Sequence, residues 1–162
     1  MKASERGIDL IRRMEGSRVE MYRDFVGLPT IGVGHLLTKD ELFSGKIHIY
    51  GEQVDWHLGL DNRQLDRLLI QDLNSTELVA NSDAQNLNQN QFDALVSFIF
   101  NVGSGAYSKS TLRKKILTDD LGDVPDQLAR WVYAAGVISP ILEKRRKEEA
   151  ALWSRPDVTV ET

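Results

Sequence analysis

Three side chains near the N-terminus bring together a proton donor, a second carboxylate and a hydroxyl: Glu15, Asp24 and Thr30. Glu15 continues the apolar stripe of Ile8 and Ile11 at helical spacing, so one helix face would carry all three and draw the carboxyl group partly out of water. It also falls in the last turn of that helix, where the backbone dipole disfavours negative charge. Both influences favour the protonated form that a general acid needs. An ion-paired glutamate at a helix end is the structural alternative. Asp24 reads equally as the first residue of a β-turn completed by Gly27 and as the partner carboxylate that glycoside cleavage requires across from its acid. A separation of nine positions lets the chain reverse between a helix end and a hairpin.

The segment Thr30-Ile-Gly-Val-Gly-His35 follows. Read as one strand, it places Thr30, Gly32 and Gly34 on a smooth face that could lie under a sugar ring. Ile31, Val33 and His35 then point to the core, where a lone histidine is structural. None of His35, His48 and His57 has metal-ligand spacing.

The elements that must hold these groups follow from periodicity. Residues 4–14 predict a helix with Ser4 as cap and Gly16 as stop, and residues 19–33 a small hairpin. Residues 38–59, punctuated by Gly45, Gly51 and Gly59, fit short helix or strand pieces. A long helix is expected over residues 62–80, a polar loop over 81–86 and a helix buried all round over 89–101. Gly103 and Gly105 close that helix. Further helices fit residues 110–117, 123–135 and 140–152, and residues 155–162 form a mobile tail.

A chain of 162 residues holds one compact unit, or two small lobes sharing a core. Its 41% apolar and 27% charged content excludes an intrinsically disordered chain. The lack of cysteine excludes a disulfide framework, a thiolate metal site and a thiol nucleophile, and suits folding in a reducing cytoplasm. Glu5, Arg6, Asp9, Arg12 and Arg13 interrupt the first residues, which resemble neither a signal-peptide core nor a membrane anchor. A net charge of −4 argues against a nucleic acid partner. Residues 109–147 nevertheless hold nine Lys/Arg against five Asp/Glu, which suits an anionic polymer or a solvated helix surface.

Taken together, Glu15-Gly-Ser-Arg-Val-Glu-Met-Tyr-Arg-Asp24 and Gly27-Leu-Pro-Thr-Ile-Gly-Val-Gly-His35 resemble the active-site signature of the phage T4-type lysozymes, glycoside hydrolase family 24. Leu87-Asn-Gln-Asn-Gln-Phe-Asp-Ala-Leu with Phe98-Ile-Phe-Asn-Val-Gly103 is similar to the buried helix of that family's C-terminal lobe, most closely in the P22-like endolysins. Arg130-Trp131 and the run from Leu142 to Trp153 look like its closing helices. The resemblance covers nearly the whole chain and is weakest over residues 39–59.

The resemblance implies a single α+β, lysozyme-like domain. A small N-terminal lobe with a short antiparallel sheet (about residues 13–61) would join a mainly helical C-terminal lobe (about 81–155 plus the first helix) through a connecting helix (about 62–80), with a cleft between. It implies a muramidase that hydrolyses the β-1,4 bond between N-acetylmuramic acid and N-acetylglucosamine. Glu15 would protonate the departing oxygen, and Asp24 and Thr30 would hold an attacking water, with inversion at the anomeric carbon. Phe100 and Asn101 would line the cleft from one side and Gly34 and Leu36 from the other, Asn101 offering its amide to acetamido groups. Arg145 or Arg146 matches the family arginine that approaches the catalytic glutamate, where its charge would favour the ionised acid, and Arg145 is counted with the substrate-binding residues. His35 and Asp72 would form a structural ion pair. Neither metal nor organic cofactor is implied.

The partners implied are peptidoglycan glycan strands, with no nucleic acid and no stable membrane association. The protein would be a monomeric endolysin, synthesised in the host cytoplasm and released by a holin. Rival readings are a lysozyme-type toxin or tail lysin, a lytic transglycosylase, and a catalytically silent peptidoglycan-binding module. Retention of Glu15, Asp24 and Thr30 together argues against the silent module.

Overall fold

The computed structural model describes residues 1–157, an α+β chain that folds as two units: residues 12–74, and residues 1–11 together with those from Ser75 onward. Residues 158–162, the end of the tail expected to be mobile, lie outside the described residues.

In the unit of residues 12–74, α1 (Glu5–Glu15) ends where Gly16 takes φ +73° and donates its N–H to the Arg12 carbonyl at 3.0 Å. β1 (Arg18–Arg23) and β2 (Pro29–Gly32) form an antiparallel hairpin, and β3 (His35–Leu36) pairs with the far edge of β2. The single strand expected over residues 30–35 is therefore two. Gly32 (φ +67°) and Gly34 (φ +69°) reverse the chain, so Ile31 and His35 face each other across strands instead of alternating along one.

Residues 38–59 contain both kinds of piece that the sequence allowed. A Thr38–Glu41 capping box opens α2 (Lys39–Ser44), and Gly45 closes it in the left-handed conformation. β4 (Lys46–Ile49) and β5 (Glu52–Asp55) form a second hairpin across Tyr50 and Gly51, both at positive φ. The first part of α3 (Asn62–Asp83) supplies Leu65 and Leu68, which complete a core with Ile31, Leu37, Ile47, Ile49, Val54, Trp56 and Leu60.

In the other unit, α3 continues through residues expected to form a loop. Its polar end is satisfied by distant partners: Asn81 donates to the Met1 carbonyl at 2.8 Å, and Asp83 accepts from Tyr107 and Arg113. An Asn88–Gln91 capping box starts α4 (Gln89–Val102), whose Phe92–Ile99 stretch is buried on every side. Gly103 ends α4 as expected, and α5 (Ser104–Ser108) begins immediately, so Gly105 lies inside a further helix and takes no part in closing α4. α6 (Thr111–Leu117) is capped by Ser110.

The helix expected over residues 123–135 is only α7 (Val124–Leu128). Beyond it Ala135 (φ +50°) and Gly136 (φ +78°) make the two-residue turn of a hairpin, β6 (Tyr133–Ala134) and β7 (Val137–Ile138). α8 (Pro140–Trp153), with Pro140 in its first turn, then packs along α4.

Ser4 does not cap α1 through its side chain. Its hydroxyl donates to Asp93 Oδ2 and its N–H to Asp93 Oδ1 at 2.9 Å, binding the start of α1 to α4. Gly7 makes this approach possible, because a Cβ there would sit 2.8 Å from Asp93 Cβ and Cγ. Alanine inside a helix ordinarily gains ~0.5–1 kcal/mol over glycine. At this position the clash reverses the sign, and Gly7→Ala is expected to destabilise the protein by ~1–3 kcal/mol in chemical denaturation. A neutral or stabilising result would show that the contact yields easily.

Candidate active site

Two of the N-terminal candidates, Asp24 and Thr30, are tied together by backbone geometry. Asp24 opens the β1–β2 turn, and its Oδ1 accepts the N–H groups of Val26 (3.0 Å) and Leu28 (2.8 Å). Gly27 returns its N–H to the Asp24 carbonyl at 2.9 Å, and the Arg23 guanidinium donates to the Gly27 carbonyl at 2.9 Å. The Leu28 carbonyl accepts both the Asp24 N–H (2.9 Å) and the Thr30 hydroxyl (3.0 Å). One peptide unit thus fixes Asp24 and Thr30 relative to each other. Thr30 is buried, and with its proton directed to Leu28 its oxygen is left as an acceptor. Among the described residues no hydrogen bond reaches Asp24 Oδ2.

Glu15 is half-buried at the end of α1, and its carboxylate lies against the reversal at Gly34, where an added Cβ would come within 3.2 Å of Oε2. Gly34, expected as a wall for substrate, therefore also makes room for Glu15. Leu36 is about half exposed and pairs in register with Thr30, which pairs on its other side with Tyr22. Tyr22 was not among the sequence candidates. Burial and the Glu15 carboxylate push its phenol above the usual range, with Asp24 adding to this and Arg18, stacked 5.0 Å from the ring centre, opposing it. Its signal in the sequence is the period-two placement opposite Thr30, legible only once the register is known.

His35 touches Asp72 as expected, with Nδ1 to Oδ2 at 2.8 Å, but a second carboxylate is also present. Glu41 Oε2 lies 3.0 Å from His35 Nε2 and accepts the Thr38 N–H of its own capping box at 2.9 Å. Burial works against the charged ring, yet the hydrogen bonds and charges of Asp72 and Glu41 outweigh it and raise His35 to about 9.

In the other unit Phe100 and Asn101 are half-buried at the end of α4. A groove of about 310 Å³ is lined by Asn101, Val102, Arg130, Trp131, Tyr133 and Leu142, at the small end of the volumes that hold small ligands. Arg145, expected on the substrate side, is instead 3% exposed. Its Nη2 donates to the Ser97 carbonyl at 3.0 Å and its Nε to Glu149 at 3.2 Å, because α8 turns that face onto α4. Arg146, also buried, donates to Asn101 Oδ1 at 2.7 Å.

The phage lysozyme family model matches residues 12–149. The chain is 34% identical over 155 residues to the endolysin of Salmonella phage P22, covering 95% of this chain and 99% of that one. It is 35% identical over 157 residues to the endolysin of Acyrthosiphon pisum secondary endosymbiont phage 1, covering 94% and 98%. This chain belongs to the phage lysozyme family. Its fold agrees: a crystal structure of a P22 lysozyme variant superposes with a TM-score of 0.77 at 35% identity, covering 94% of this chain and 98% of that one. The endolysin from Escherichia coli O157:H7 phage FAHEc1 does so at 0.78 and 29%, covering 95% and 94%. The fold is therefore lysozyme-like and the enzyme a glycoside hydrolase of the lysozyme type.

The raised His35 implies a pH dependence of stability. With an unfolded value near 6.5 and a folded one of about 9, charged His35 stabilises fully below about pH 6.5, and that contribution is lost as pH rises through 9. The loss is expected to reach up to ~3 kcal/mol, and to vanish in His35→Asn. NMR titration of His35 checks it directly: a value at or below the ordinary ~6.5 would contradict the double pairing.

Proposed function

We propose that this lysozyme is an inverting muramidase acting as an endolysin on the β-1,4 bond between N-acetylmuramic acid and N-acetylglucosamine. The observation that carries the reading is the Leu28 backbone, whose N–H and carbonyl hold Asp24 and Thr30 together in the unit that also holds Glu15 against Gly34. Glu15 donates its proton to the departing glycosidic oxygen. Asp24 Oδ2 and the Thr30 oxygen both accept from one water, which orients its lone pair for attack on the anomeric carbon and lets the carboxylate draw off its proton. Attack from the face opposite the leaving group converts the β linkage to an α product.

Delivery is proposed to follow accumulation in the host cytoplasm, with a holin opening the inner membrane. Support comes from the described residues, in which no helix is long and apolar enough to cross a membrane.

Glu15→Gln should leave circular dichroism and thermal unfolding intact while lowering the clearing of purified cell walls by ~10²–10⁴-fold. Near-normal clearing would remove Glu15 from the acid role. Among the wild-type products, α-anomeric reducing ends are expected by NMR, and 1,6-anhydromuramic ends in mass spectra would indicate a lytic transglycosylase. Induced expression in the host should lyse cells only when a holin is co-expressed; lysis without one would overturn the delivery route.

A further inference from the structure

The C-terminal unit buries two arginines against one carboxylate, and the second arginine has a task that ion pairing does not explain. Arg146 is 1% exposed, with Nε 2.9 Å from Glu149 Oε2. The same guanidinium sends Nη2 to Asn101 Oδ1 at 2.7 Å and lies 4.9 Å from the centre of the Phe98 ring. Phe98 in turn meets Trp131 edge-on, with ring centres 5.3 Å apart. Asn101 and Trp131 both line the groove at the end of α4, so two of its walls rest on one buried cation.

A guanidinium has only donors, so the amide oxygen of Asn101 must face it whichever way the amide is first assigned. The planar side chain then carries its NH₂ on the opposite branch, away from the buried cation. We infer that Arg146 is a positioning residue that locks Asn101 as a hydrogen-bond donor in this groove, selecting glycan groups that present an acceptor oxygen, such as an acetamido carbonyl. The inference rests on the reading that Asn101 contacts the substrate.

Arg146→Lys keeps the charge beside Glu149 but cannot reproduce the planar fork that reaches Glu149 and Asn101 together. It should raise KM for N-acetylated glycan strands by about 3- to 10-fold, the worth of one hydrogen bond, with kcat little changed. Asn101→Asp retains a partner for Arg146 and removes the donor, so it should raise KM as much without loss of thermal stability. In the Asn101→Ala background the lysine substitution should add nothing to KM.

NMR of the wild-type enzyme supplies an independent reading. The Asn101 side-chain amide should be as rigid as the backbone before ligand is added. It should shift with N-acetylated glycan strands and not with their de-N-acetylated counterparts. Unchanged KM in both Asn101 variants would overturn the substrate contact itself. Raised KM in those variants, with a freely rotating Asn101 amide or no coupling to Arg146→Lys, would overturn the positioning role alone.

Discussion

The backbone of Leu28 is the constraint on which the geometry of Asp24 and Thr30 depends. Its N–H is held by the Asp24 carboxylate, and its carbonyl accepts from the Asp24 backbone and the Thr30 hydroxyl. A turn closed this way satisfies its own polar groups, so the hairpin can present a carboxylate without losing backbone hydrogen bonds. The turn thus does two things at once. The reading of Asp24 as a turn starter and its proposed reading as a reacting group are not rivals, because the turn occupies only Oδ1.

A second arrangement recurs in both units: a basic side chain held by carboxylates is tied to a neighbouring polar group. His35, between Asp72 and Glu41, joins β3 to α3 and to the capping box of α2. Arg145 and Arg146 share Glu149, with the Ser97 hydroxyl 2.7 Å from the same carboxylate. Burying such charges costs several kcal/mol per ion unless partners surround them. The partners here do more than neutralise, since each arrangement also holds a further group: the Thr38 cap in one and the Asn101 amide in the other.

Much of this was legible in the chain before folding. The residues that cap, stop or reverse elements do so over a few positions, which is why α1, the first hairpin, α3 and α4 lie close to where periodicity and turn chemistry put them. The failures have physical causes. Ser4 stands before α1 as expected, and its carbonyl accepts the Ile8 N–H, but its hydroxyl is turned to the Asp93 carboxylate, far away in sequence, and anchors the helix there. Residues 129–135 were expected to continue a helix from residue 123, but Ala135 and Gly136 adopt positive φ and make a hairpin there. The end of α3 looked too polar for a helix until Met1, Tyr107 and Arg113 supplied partners.

By itself the sequence determined the chemistry on offer. Glu15, Asp24, Thr30 and the glycines that turn the chain beside them are specified by residue type and short spacing, because turns and helix ends are local. Only the tertiary structure decided what those groups touch. Gly34 lies against Glu15, Tyr22 pairs with Thr30, Glu41 closes on His35, and Arg145 turns inward while Arg146 grips Asn101. Those outcomes depend on strand register and on which face of α8 meets α4, and both are set by the packing of distant residues.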